Sequence, residues 1–308
     1  MNKLTKYGLT ALAGSLVATS VSAGELGVTG AWSWSYDTLD SDEVTGNPFS
    51  MGNSINFSGS GETDQGWTAG VAMEIDHAGV YDDMKLTLDM GDSGKLTFGH
   101  ASVTGDGIHS VNNIVPHADT PVYSMTDNAT AYGVADGAGA AGNIGYNVTI
   151  GDLKASVEMA KGAGTDKTIG LTYTGVENLT LVAGIGEVNP GQVAGGQDER
   201  VYGVKYAVAG ATLAYMVTDV DLGGVGAADE EAVHMGISFA VNDDLTISYA
   251  VQDVDITGKT PDEKNAGFGV SYTMGSLSVA AFAGKTENGN GVSTADDEGK
   301  GITLSIAF

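Results

Sequence analysis

Apolar and polar side chains alternate with period two along most of this chain. The last segment shows it most clearly: Ile302, Leu304, Ile306 and Phe308 share one parity, and Thr303, Ser305 and Ala307 share the other. Successive residues of a strand point to opposite faces, so this is a strand with one wholly apolar face that ends on an aromatic carboxy terminus. The pattern recurs. Trp67, Ala69, Val71, Met73 and Ile75 oppose Thr68, Gly70, Ala72, Glu74 and Asp76, and Met84, Leu86, Leu88 and Met90 oppose Asp83, Lys85, Thr87 and Asp89. Leu153, Ala155, Val157 and Met159 oppose Lys154, Ser156 and Glu158. Leu245, Ile247, Tyr249 and Val251 oppose Thr246, Ser248, Ala250 and Gln252. Sustained apolar spacing of three and four is absent beyond the first residues, so the fold class is all-β.

The pattern predicts strands at about 25–37, 51–60, 67–77, 81–91, 94–101, 143–150, 153–161, 167–175, 179–187, 199–208, 211–221, 231–241, 245–255, 265–275, 277–287 and 299–308, sixteen in all. Their connections alternate between tight turns, such as Gly151-Asp152 and Ala209-Gly210, and long acidic stretches, such as Glu187–Glu199 and Thr286–Gly299. The stretch at about 102–142 far exceeds the usual ~4–6 residues and needs a reason. Ala129–Asp136 within it also looks strand-like.

An even number of strands, each long enough to cross a bilayer at a tilt, describes a closed antiparallel transmembrane β-barrel. Closure is forced in hydrocarbon, where each unpaired backbone group of an open edge costs several kcal/mol. A soluble stack of two sheets with apolar faces inside satisfies the same periodicity, so an exported structural or adhesive β-protein without a channel stays open. What faces the polar side discriminates: it is mostly Gly, Ala, Ser, Thr and charge, which suits water better than a filled core.

Composition adds three constraints. Residues 1–23 carry Lys3 and Lys6, a short apolar run and the small-residue site Val21-Ser22-Ala23, which reads as a cleaved secretory signal peptide. A single domain, 24–308, follows it. The formal charge of −26 becomes −28 once those two lysines leave. So acidic a chain is no partner for nucleic acid. There is no Cys, so disulfides and thiolate metal sites are excluded. No enzyme is expected. The five histidines lack metalloprotease spacing, and no Gly-x-Ser-x-Gly elbow stands on a strand-to-helix turn.

Three stretches carry a resemblance. Gly61-Glu62-Thr63-Asp64-Gln65-Gly66-Trp67 is similar to the turn after the second strand of Gram-negative general-diffusion porins of the alphaproteobacterial, Rhodobacter-like type. Gly94-Lys95-Leu96-Thr97-Phe98-Gly99-His100 resembles their fifth strand. The terminal strand ending on Phe308 resembles the signal that outer-membrane barrels present to the barrel-assembly machinery. The resemblance implies a sixteen-stranded barrel in outer-membrane lipid, a homotrimer, with the third outer loop folded inward as a constriction. It implies passive diffusion of ions and small hydrophilic solutes. Two features differ: the chain holds one arginine, Arg200, where such porins set an arginine cluster on the wall, and its second outer loop, Ala78-Gly79-Val80, is short.

On that reading, selectivity belongs to the charges that line the narrowest part. The candidates are Asp106, Asp119, Asp127 and Asp136 on the loop, which carries no lysine or arginine. Glu74, Asp76, Asp83 and Asp89 belong to the wall, with Lys85, Lys95 and Lys154 as its basic side. A cation-preferring pore is expected. No cofactor is expected, apart from weak Ca²⁺ at acidic outer loops, among them Asp198-Glu199, Asp229-Glu230-Glu231 and Asp296-Asp297-Glu298. An aromatic belt is expected from Trp32, Trp34, Tyr36, Trp67, Tyr81, Tyr272 and Phe308.

Overall fold

A computed structural model describes residues 26–39, 48–76, 81–100, 106–116, 143–161, 165–190, 195–224 and 226–308. The expectations for residues 1–23, Ala78-Gly79-Val80, Ala129–Asp136, Asp119, Asp127 and Asp136 lie outside the described residues. So do those for the side chains of Tyr81 and Asp83.

Sixteen strands form one closed antiparallel barrel, each paired with its neighbours in sequence. They are β1 (Gly27–Leu39), β2 (Phe49–Glu62), β3 (Thr68–Asp76), β4 (Tyr81–Asp89), β5 (Lys95–His100), β6 (Asn143–Ile150), β7 (Leu153–Lys161) and β8 (Thr165–Val176). There follow β9 (Leu179–Val188), β10 (Gln197–Val208), β11 (Ala211–Leu222), β12 (Glu230–Ala240), β13 (Leu245–Ile256), β14 (Glu263–Met274), β15 (Leu277–Glu287) and β16 (Asp297–Ala307). The last strand closes on the first, with Ala31 opposite Ala307. Gly30 and Phe308 exchange backbone hydrogen bonds of 2.8 and 3.0 Å. The Phe308 ring lies over Gly30, where a Cβ would overlap it. Closure leaves no sheet edge, and a two-sheet stack is excluded.

The faces are inverted relative to a soluble protein. Leu86, Ile237 and Leu304, which a two-sheet stack would shelter, are 46, 41 and 40% exposed. Their alternates Thr87, Ser238 and Ser305 point into the barrel. Trp67, Tyr173, Tyr206, Phe239, Tyr272 and Phe308 stand on the outer face near the short-turn end, and Trp34 stacks on Phe49 at 5.6 Å further up. Tyr and Trp suit such positions because one end of each ring is apolar and the other wet.

Several strands run further toward the long-loop end than the sequence suggests. β14 starts at Glu263 rather than 265, and β16 at Asp297 rather than 299. There the outer face turns from apolar to charged. Arg200 on β10 donates to Asp219 and Asp221 of β11 at 2.9 and 3.0 Å, and Lys264 pairs with Asp253 at 3.3 Å. Polar residues on both faces look like loop in sequence, yet here they continue the ladder above the apolar belt.

The inversion makes a prediction. Ile237→Lys puts a charge into the apolar belt and is expected to cost about 2–4 kcal/mol in lipid vesicles, read from urea unfolding. Ser54→Lys, on the enclosed face, is expected within about 0.5 kcal/mol of the parent. Equal costs would refute the assignment of faces.

Candidate functional site

The chain re-enters the barrel after β5. Residues 106–116 lie on its inner wall, because every wall group they touch has the parity opposite to the exposed apolar residues. Gly107 donates its N–H to Ser156 Oγ of β7 at 2.7 Å, and Ile108 its N–H to Thr168 Oγ1 of β8 at 3.2 Å. The carboxylate of Asp106 accepts from the side-chain amide of Asn147 on β6. A 3-10 turn, Gly107–Ser110, follows. Gly107 holds a φ of +60°, a conformation that costs glycine little.

Beyond this root the contacts become apolar. Ile108, Val111 and Val115, all buried, pack with Ile114 against Val182, Val201, Ala214, Met216 and Ala250 of β9, β10, β11 and β13. The wall makes room by omitting side chains. A Cβ at Gly184 would lie 2.7 Å from Ile108 Cγ1, one at Gly203 would lie 2.6 Å from Ile114 Cδ1, and one at Gly236 would lie 2.6 Å from Val115 Cγ1. Gly145 and Gly170 are likewise blocked by Asp106 and by the Gly107 carbonyl. These five glycines form a furrow across the enclosed face from β6 to β12, and the loop is seated in it. In sequence, small enclosed residues indicate a wide water channel. Here part of that width is occupied.

Above the furrow, toward the long-loop end, the inner wall carries a buried polar belt. Thr218 and His234 Nε2 lie 3.1 Å apart. Asn265 donates to Gln252 at 3.0 Å and to Glu263 at 2.7 Å, and Thr286 donates to Asn265 at 2.6 Å. Asn143 donates to Glu158 at 2.7 Å and the amide of Asn189 to Asp166 at 2.7 Å. In sequence His234 is one of five histidines without metal-ligand spacing. Its signal was the register, which places single inward polar residues of β11 to β15 side by side.

The predicted wall residues fall at different heights. Glu74 and Asp76 point inward on β3, half-buried, opposite Asn56 and Ser54 of β2. Lys85 faces inward two positions lower, opposite Ala72. Lys95 and Lys154 sit at the short-turn end. Asp89 lies opposite Lys95, and its carboxylate accepts the Gly91 N–H at 2.9 Å, so it also shapes the turn. Asp106 is pressed against β6, only 5% exposed. The wall acids and lysines therefore do not share one ring.

The acidic clusters read as loops are divided by strand alternation. Glu199 and Asp297 are buried on the enclosed face, whereas Asp198 and Glu298 stand exposed on the outer one. Neighbours on opposite sides of a sheet cannot converge on one cation. Among the described residues no three acids or histidines form a group fit for a metal ion.

Cover is uneven around the barrel. The inner faces of β7 to β15 hold buried Ser156, Glu158, Thr168, Glu199, Thr218, Gln252 and Thr286. The inner faces of β1 to β3 present half-exposed Ser33, Ser35, Ser54, Asn56, Glu74 and Asp76. Among the described residues, the lane left open therefore runs beside β1 to β5, with the seated segment 106–116 on the opposite side.

A family model described as Gram-negative porin matches residues 8–291. No curated protein sequence matches the chain. Among solved structures it is similar to a multiply substituted mutant of the porin of Rh. blastica, at 17% identity and a TM-score of 0.66, covering 92% of this chain and 100% of that one. A loop-deletion mutant of OmpT, an outer membrane protein of Vibrio cholerae, aligns at 16% identity and a TM-score of 0.69, over 93 and 100% of the two chains. An anion-selective porin from Comamonas acidovorans aligns at 15% identity and a TM-score of 0.69, over 92 and 100%. At these identities the likeness is one of fold.

The seat itself is testable. Ile108→Ala removes a fully buried side chain and is expected to weaken docking by about 2–4 kcal/mol. Amide exchange at Gly107 and Ile108 should then speed up by roughly 30- to 1000-fold. Amides within β9 should be unchanged. Unaltered exchange at the root would show that the furrow does not hold the loop.

Proposed function

The chain belongs to the Gram-negative porin family, and on that premise we propose that it is a cation-preferring, trimeric diffusion pore for ions and small hydrophilic solutes. Family and barrel make it a channel of the outer membrane of a Gram-negative bacterium. They point to passive passage rather than to an enzyme.

The observation that carries the reading is the lane beside β1 to β5. Its walls offer hydroxyls, amides and the carboxylates of Glu74 and Asp76 among the described residues. Carboxylates in a water lane with low-dielectric walls raise the local cation concentration. The segment 117–142 adds Asp119, Asp127 and Asp136 and no lysine or arginine to the chain's account. These three, with Asp83, are proposed constriction residues on their sequence alone. The anion-selective Comamonas porin has the same fold, so the sign of selectivity must come from such side chains.

Trimer formation is supported by the outer face of β1 to β5. There the apolar surface, including Trp32, Trp34, Met51, Val71 and Leu86, carries no charged side chain among the described residues, unlike the upper outer face of β8 to β16. A large exposed apolar face without charge fits contact between copies. Phe308, 68% exposed on the outer face, is free to be read by the assembly machinery. Cleavage after Ala23 completes the proposal.

Two measurements test it. In a KCl gradient across a planar bilayer, the reversal potential should show cation preference, and Glu74→Gln with Asp76→Asn should reduce it. Anion preference in the parent protein would overturn the sign. Migration on a gel should shift from trimer to monomer on heating.

A further inference from the structure

Resting on the channel reading, we propose that the lumen carries two tiers of fixed charge stacked along its axis. A carboxylate tier occupies the long-loop half and a lysine tier the short-turn half. The lysine tier is a separate, anion-attracting step in permeation.

Strand parity and register fix the tiers. Lys85 on β4, Lys95 on β5, Lys154 on β7 and Lys205 on β10 all point into the barrel. Lys95, Lys154 and Lys205 lie toward the ends of their strands that meet a short turn, and Lys85 lies mid-strand on β4, two positions below the height of Glu74. Lys205 lines the same mouth as Thr180 and Thr212. The long-loop half holds Asp37, Glu74, Asp76, Glu158, Asp166, Glu199, Glu263 and Asp297 on the enclosed face. Among the described strand residues it holds no inward lysine or arginine, while Lys259 stands on the connection from β13 to β14 beside Glu230. The single arginine, Arg200, is on the outer face, bound to Asp219 and Asp221.

Individual strands show the separation. On β7, Glu158 stands four residues above Lys154, roughly 13 Å at ~3.3 Å per residue. On β10, Glu199 stands six above Lys205, roughly 20 Å. Asp89, opposite Lys95, Glu62 at the short-turn end of β2 and Glu177, which lines the same mouth as Lys205, temper the lower tier, though the Asp89 carboxylate also accepts the Gly91 N–H. Several upper carboxylates are met by donors: Glu199 by the Gln197 amide, Glu263 by Asn265 and the Asn290 N–H at 2.7 Å, and Asp166 by the Asn189 N–H.

Such an arrangement is an ionic junction. One polarity drives cations from the upper tier and anions from the lower tier toward their boundary, which raises conductance. The opposite polarity empties the boundary of both. The effect requires that salt leave the tiers distinct. At about 0.1 M the screening length is ~10 Å, comparable to their spacing, and at about 1 M it is ~3 Å.

Single-channel current–voltage curves in symmetric KCl test the proposal. At about 0.1 M salt, currents at about +100 and −100 mV are expected to differ by around two-fold, because fixed charge shifts lumen potentials by several kT. Channels inserted in either direction should rectify in one of two mirror-image senses. The asymmetry should shrink toward unity at about 1 M. Combining Lys85→Gln, Lys95→Gln, Lys154→Gln and Lys205→Gln should abolish it and strengthen cation preference, and Lys154→Gln alone should reduce it. A straight parental curve at low salt, or undiminished asymmetry in the four-lysine variant, overturns the tiers. Cation preference with a straight curve overturns the tiers alone, whereas absence of conductance steps overturns the channel reading as well.

Discussion

The backbone hydrogen-bond requirement in hydrocarbon governs this molecule. An N–H or C=O facing lipid has no water to turn to, so every strand must be paired on both sides. The pairing of β1 with β16 is therefore as necessary as any internal ladder. Once the sheet is closed, pleating sends alternate side chains to two different solvents. Ile302, Leu304 and Ile306 go to lipid, and Thr303 and Ser305 go to the enclosed side. The hydrophobic effect then stabilises the barrel from outside. A charge placed on one parity is consequently disruptive, while on the other it is tolerated.

The enclosed face is free of the demand for bulk, and the loop uses that freedom. Glycine weakens a strand because it offers nothing to pack. In β8, β9, β10 and β12 the flanking outward residues, such as Ile169, Ile185, Tyr202 and Met235, still provide the lipid-facing contacts. Gly170, Gly184, Gly203 and Gly236 can therefore be spared on the inside, where Ile108, Ile114 and Val115 fill the gap. The apolar cluster so formed lies inside a water-lined barrel. It is shielded from that water by the loop that creates it. Among the described residues the space left open is displaced toward β1 to β5 as a consequence.

Legibility followed periodicity. All sixteen strands could be read, since each needed only local alternation. The strand ends toward the long loops could not, because Asp297-Glu298 and Glu263-Lys264 look like acidic loop until a neighbour supplies the ladder. The glycine furrow was visible as composition but not as a seat, because the register that aligns Gly170 with Gly184 is a property of pairs of strands. The polar belt failed for the same reason: Thr218, His234, Gln252 and Asn265 are each unremarkable in their own strands. Asp106 was read as a charge facing water. What lets it press onto β6 is Gly145, 39 residues away in sequence.

Strand parity also decides what the charges can do. A pair such as Asp198 and Glu199 looks like one acidic cluster in sequence, but the sheet separates it into an outer charge and an inner one. The outer charges can pair with Arg200, Lys264 and Lys285 at the height where apolar surface ends, and exposed pairs of this kind add little stability. The inner charges face a narrow space bounded by low dielectric, where the same carboxylate exerts a stronger field. With its only guanidinium committed to Asp219 and Asp221 outside, the lumen's positive charge among the described residues falls to lysines. Apart from Asp89 opposite Lys95 and Glu62 at the short-turn end, the inward acids of the described strands stand above those lysines or level with them, so much of the field they create together runs along the pore.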